Sequence, residues 1–188
     1  IVFTHIVAYA LSLEISKTRA DLLISLIGIC NMLGRAGLGL IGQLESVDVP
    51  QLYVASFFFA GLSIFGCGFW PFFSTIAFFG CVFGFLVGAA GPLLAEFAYV
   101  CLGMNDFSRG YGLIAVFMAL GNLLGAPAAG LVYDMTKIYP ASFYLGGVCL
   151  IFCSLLLVPV LINLRKLNRK RIAKAMDPTN EDILPAIS

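Results

Sequence analysis

An all-α membrane protein, a bundle of apolar helices whose first member is incomplete, is the fold class this sequence predicts. Hydrophobic residues fill 61% of the 188 positions and charged ones 11%, and the mean hydropathy is +1.01, values foreign to water-soluble domains. The apolar residues form long blocks, and each block from the second onward approaches or exceeds the roughly 20 residues a helix needs to cross about 30 Å of hydrocarbon. Short polar stretches with turn or charge chemistry separate them, whereas a soluble core would show shorter, periodic segments.

The first block, Ile1 to Leu13, covers only about 20 Å at 1.5 Å per residue. It begins without Met and has no basic leader, so it reads as a helix cut through its middle. A signal peptide is the rival reading, but no small-residue cleavage site follows. The expectation is a fragment, half of a larger protein. EISKTRAD (Glu14 to Asp21) then leads into a second span over Leu22 to Leu44, and ESVDVPQ (Glu45 to Gln51) into a third over Leu52 to Phe69. A fourth, Phe73 to Leu102, follows the short WP at Trp70. GMNDFSRG (Gly103 to Gly110) separates it from a fifth over Gly110 to Val132, and YDMTKIYP (Tyr133 to Pro140) from a sixth over Ala141 to Leu164.

The tail after the sixth span, 165–188, carries Arg165, Lys166, Arg169, Lys170, Arg171 and Lys174. The positive-inside rule places it in the cytoplasm, although Lys17, Arg19 and Lys137 then fall outside. Such a tail anchors topology or meets anionic lipid headgroups. With a net charge of +1 and no stacking module, the chain is not expected to bind nucleic acid.

Glycines are placed where helices in lipid pack, since close approach at small residues drives association there. Gly80, Gly84 and Gly88 form G-x-x-x-G-x-x-x-G, followed by Gly91 and Pro92; Gly121, Gly125 and Ala129 repeat the interval. These stripes predict packed helices, and Gly91-Pro92 predicts a bend or local opening that serves either packing or gating.

The second span holds the most informative residues. Gly28, Asn31, Arg35, Gly39 and Gly42 recur at spacings of three and four, so they share one helical face. A charge near the bilayer centre costs from about 2.5 to more than 10 kcal/mol and should therefore face protein or water. Arg35 lies roughly 12 Å from the inner end of its span, a long way to snorkel. A guanidinium on a water-lined face offers bidentate hydrogen bonds to a carboxylate, so Arg35 and Asn31 are the candidate site for a small organic anion. The rival reading is an Arg held by a helix carbonyl or buried acid. Glu96, the acid set well inside an apolar block, is its candidate charge or proton partner, with a solvated interfacial carboxylate as the alternative. His5 and Asn122 are candidate cavity-lining residues, His5 having helix packing as its rival role. Six cysteines (30, 67, 81, 101, 149 and 153) form no C-x-x-C, and neither a zinc motif nor a phosphate loop appears. No metal, cofactor or catalytic residue is expected. An intramembrane enzyme would need paired Asp, a Ser/His pair or a His cluster in the spans.

Three stretches resemble the monocarboxylate transporter family of the major facilitator superfamily. NMLGRAGLG resembles the family's eighth helix, where a D-x-x-x-R pair precedes a small residue and Gly. CLGMNDFSRGYGL (Cys101 to Leu113) resembles the start of its eleventh helix, and GAPAAGLVYDMTKIYPASFYLGG (Gly125 to Gly147) the end of that helix and the loop beyond. They stand in the family's order and spacing. The resemblance implies helices seven to twelve, the C-terminal six-helix half of a plasma-membrane transporter that works by alternating access on monocarboxylates, often as a proton symporter. It also implies a missing N-terminal six-helix half, a candidate ancillary membrane protein as partner, and Arg35 as the residue engaging the substrate carboxylate. Asn31 stands where proton-coupled members carry Asp, and an amide cannot titrate; Glu96 is the candidate substitute. Ala126 and Lys137 depart from the family's Pro and Gly. A transport-incompetent scaffold and a uniporter of aromatic amino acid-like solutes are the alternatives.

Overall fold

The computed structural model describes residues 6, 9–13, 15–44, 47–68, 72–136 and 139–175, with side chains except at 126, 129, 133, 139 and 168–175. The described part is built from five helices: α1 (Lys17–Gly42), α2 (Val49–Cys67), α3 (Phe73–Gly88), α4 (Ala90–Thr136) and α5 (Tyr139–Ala175). Residues 9–12 form a further helical turn. Four helices are long and apolar enough to cross a membrane: Lys17–Gly42, Val49–Cys67, Phe73–Thr136 taken as one, and Pro140–Leu167.

The 64 residues of Phe73–Thr136 would measure about 96 Å if straight, some three bilayer cores, and two local chemistries break them. α3 stops at Gly88 and α4 starts at Ala90. The interruption falls ahead of the Gly91-Pro92 pair, at the point proline dictates: Pro92 has no N–H for the carbonyl of Gly88, four residues back. The second break is Gly103, whose φ of 73° and ψ of 177° depart from the helix. Only glycine takes up this conformation at no steric cost. Sequence pattern had placed a polar loop over Gly103 to Gly110, yet residues 104–110 are helical and the turn is one residue wide.

Contacts across Gly103 show that the chain doubles back. Gly110 lies against the Leu102 side chain, Tyr99 meets Phe107 at a ring separation of 6.1 Å, and Tyr111 and Ile114 pack on the cluster containing Leu94 and Phe97. A straight helix would separate residues 97 and 111 by about 21 Å. The two arms of α4, 90–102 and 104–136, therefore diverge from a hairpin at Gly103. On the second arm Tyr111 and Ile114 reach that cluster, and residues 115–124 are exposed.

α1 packs on α3, α3 on α2, and α2 on α5. Two apolar clusters hold these helices together. One joins Ile6, Tyr9, Leu23, Ile27, Ile64, Ile76 and Phe143, the other Val49, Tyr53, Leu93, Leu94 and Phe97. The helices α2 and α5 cross where Gly61 faces Gly147: a Cβ on either would stand 2.9 Å from the other's carbonyl oxygen. Ser63 Oγ donates to the Phe79 carbonyl at 2.8 Å and ties α2 to α3. Large apolar side chains such as Ile29, Met32, Leu33, Phe152 and Leu155 point outward, as a helix bundle solvated by lipid requires.

Candidate functional site

α1 buries Ala20, Leu23, Ile27, Gly34 and Gly42, a stripe at helical spacing that lies on α3 with backbone almost touching backbone. The Ile27 carbonyl oxygen sits 2.7 Å from the place a Cβ on Gly84 would occupy. Gly34 faces the Phe85 carbonyl and Gly88 faces the Asn31 carbonyl, both too close for any side chain. Within this seam Asn31 Nδ2 donates to the Gly84 carbonyl at 3.1 Å. Only the NH₂ end of an amide can satisfy a carbonyl, which fixes the orientation of Asn31 and leaves its oxygen for other partners.

Arg35 follows Gly34 by one residue, a rotation of about 100°, and Asn31 by a little over one turn. It leaves the helix on the flank of the seam, exposed, and among the described residues it has neither a hydrogen-bond nor an ion-pair partner. Asn31 is half-buried beside it. The two residues singled out from sequence thus stand together, one held by α3 and the other free.

The structure separates other residues that sequence pattern had grouped. Gly28 meets nothing within 4 Å, so the narrow face of α1 runs through Gly34 and Gly42 instead; the true seam lies partway round from the line drawn through Gly28 and Arg35. Gly39 remains near it, where an added Cβ would stand 3.5 Å from the Pro92 ring. Glu96 is half-buried and lies at the end of α1, its Oε2 3.4 Å from where a Cβ on Gly42 would be. That is two turns, about 10 Å, along α1 from Arg35. Among the described residues Glu96 forms no ion pair with Arg35. Gly80, Gly84 and Gly88 all face Ile27 or Asn31, whereas Gly91 and Gly121 meet nothing within 4 Å and contribute no packing. Gly125 is half-exposed and Asn122 exposed. His5 lies outside the described residues.

Among the described residues no group of three His, Cys, Asp or Glu side chains could hold a metal ion. The cysteines carry free thiols. Sequence reasoning missed the seam residue Gly34 and the crossing of Gly61 with Gly147, each a lone glycine without a four-residue partner on its own helix. It also missed the pairing of Arg165 with Asp48, whose nitrogens and oxygen lie 3.3 Å apart across 117 positions of chain.

The family model described as Major Facilitator Superfamily matches residues 1–185. The chain is similar to curated proteins named as transporters. It is 30% identical over 160 residues to mouse (Mus musculus) monocarboxylate transporter 9, covering 84% of this chain and 31% of that protein. It is 29% identical over 181 residues to human (Homo sapiens) monocarboxylate transporter 12, covering 94% and 35%, and 33% identical over 161 residues to human monocarboxylate transporter 7, covering 78% and 30%. The chain spans about a third of the length of these relatives.

Proposed function

Because the chain belongs to the major facilitator superfamily, and is a multi-pass membrane protein, we propose that it forms the C-terminal half of a transporter for a small organic anion, a monocarboxylate or a close relative. The observation that carries this reading is Arg35: a permanent positive charge in an apolar helix, exposed and unpaired among the described residues. An unpaired guanidinium at membrane depth is costly unless water or an anion meets it, and its planar fork matches a carboxylate. The names of the similar transporters agree with that chemistry.

In this reading Arg35 holds the carboxylate while the free oxygen of Asn31 accepts from a hydroxyl or amino group of the solute. A second six-helix unit supplies the opposing wall, and rocking of the two about the site gives alternating access. The basic residues after Leu164 set the C-terminus in the cytoplasm, and the plasma membrane is the expected location. Asn31 does not titrate, so no proton crosses on it, which favours uniport unless Glu96 carries the coupling from the end of α1.

Uptake of labelled carboxylates by the full-length protein at two pH values tests this directly. Arg35→Ala should lower carboxylate uptake about a hundredfold, the loss of two charge-assisted hydrogen bonds, with surface expression retained. Uptake that survives the substitution would move the substrate site elsewhere. A Glu96→Gln variant that keeps the full pH dependence would remove Glu96 from any proton step.

A further inference from the structure

Away from Arg35, a cavity of about 240 Å³ opens where α2 begins, the first arm of α4 ends and α5 leaves its apolar run; Val49, Val100, Leu161 and Leu164 wall it, and Asp48 and Arg165 are its charged members. Arg165 Nε and Nη2 both donate to one oxygen of Asp48 at 3.3 Å, and Gln51 Nε2 donates to that same oxygen. These arginine bonds are longer than the 2.7 to 2.9 Å usual for charged partners, and three guanidinium N–H groups remain unused. The side chains of Arg165 and Asp48 are 52% and 40% exposed, so the pair stands at the mouth of the cavity rather than sealing it.

Two further observations define the occupant. Leu164-Arg165 is the point at which the last apolar block gives way to cations, Lys166 coming next, and in a membrane helix that transition marks the headgroup level. Asp48 and Arg165 are the charged residues lining the mouth over an apolar interior, and Lys166 follows in sequence, so this helix end carries two cations against one carboxylate. A soluble phosphate would use the first feature and leave the second empty.

The geometry points to a binding site for an anionic phospholipid, with an acyl chain along Val100, Leu161 and Leu164 and phosphate oxygens on the unused N–H groups of Arg165. Asp48 competes for the same guanidinium and so limits occupancy. This site is separate from the one assigned to the transported solute and stands whether or not that assignment does.

The test uses the full-length protein in phosphatidylcholine nanodiscs doped with phosphatidylglycerol, with lipid retention read by native mass spectrometry after detergent transfer. Arg165→Gln should reduce phosphatidylglycerol retention about tenfold, Arg165→Lys less, and Arg109→Gln, on the second arm of α4, not at all. Asp48→Asn should raise retention, a gain that misfolding cannot imitate. Leu161→Trp, which fills the cavity, should lower it with the charges intact. Unchanged retention in Arg165→Gln, no gain in Asp48→Asn, or displacement by soluble glycerophosphoglycerol as complete as by the lipid would each overturn the assignment.

Discussion

Two glycine stripes with the same spacing have opposite fates in this molecule. Gly80, Gly84 and Gly88 on α3 admit the backbone of α1 so closely that carbonyl oxygens of Ile27 and Asn31 occupy the space of absent side chains. Gly121, at the head of the stripe on the second arm of α4, faces nothing within 4 Å, and the arm around it is exposed on all sides. The difference is not in the stripes but in what opposes them. α1 presents its own small residue, Gly34, and a polar hook, Asn31, to α3, so van der Waals contact and a hydrogen bond accumulate along one line. The second arm meets Leu102, Tyr99 and the cluster near Phe97 through its first turns, and Gly121 further along it meets no facing helix.

The most severe way to break the seam is Gly88→Leu or Gly34→Val, each of which drives a side chain into a carbonyl of the facing helix. Such overpacking should cost about 3 kcal/mol, read as a loss of thermal stability and of folded protein at the membrane. If either variant is as stable as the parent, α1 and α3 are not apposed as described.

A subtler break exploits the hydrogen bond from Asn31 to the Gly84 carbonyl at 3.1 Å. Asn31→Asp can donate there only while its carboxyl is protonated, since an ionised carboxylate is acceptor-only. Ionised, it sets a second acceptor against that carbonyl and leaves the bond unmade. The variant should be less stable than the parent by about 1 to 3 kcal/mol, measured as a lowered thermal midpoint. Asn31→Leu removes the bond outright and should cost about 1 kcal/mol, the scale of interhelical hydrogen bonds in membranes.

Smallest of all should be the effects of Gly121→Ala and Gly91→Ala, within about 0.5 kcal/mol in thermal denaturation, because an added methyl meets open space at both positions. A loss of stability at Gly121 comparable to that at Gly88 would show that the second arm closes on a partner surface in the assembled protein.

The long apolar blocks, their polar separators and the charge at Arg35 were legible without coordinates, as were the packing glycines of α3. The separation of Arg35 from Glu96 was not: both sit in apolar blocks, but the register of α1 against α4 puts Glu96 beside Gly42. The face of α1 was drawn through Gly28 and Arg35 by spacing, while the seam runs through Ile27 and Gly34, its neighbours one position away. The loop expected across Gly103 to Gly110 collapsed into one residue, because a positive φ at Gly103 reverses the chain and the polar residues after it can begin a helix at once.

Sequence alone determined that this chain is helical, that it crosses a membrane and that it carries an arginine where a bilayer penalises one, since backbone satisfaction and transfer energies depend only on local composition. Tertiary structure decided which side of each helix meets protein. In water an apolar face identifies itself against a polar one; in lipid both faces are apolar, so hydropathy is silent about azimuth. Contacts such as those of Gly34 with Phe85, of Asn31 with Gly84 and of Asp48 with Arg165 reveal where the helices touch and which charges are paired.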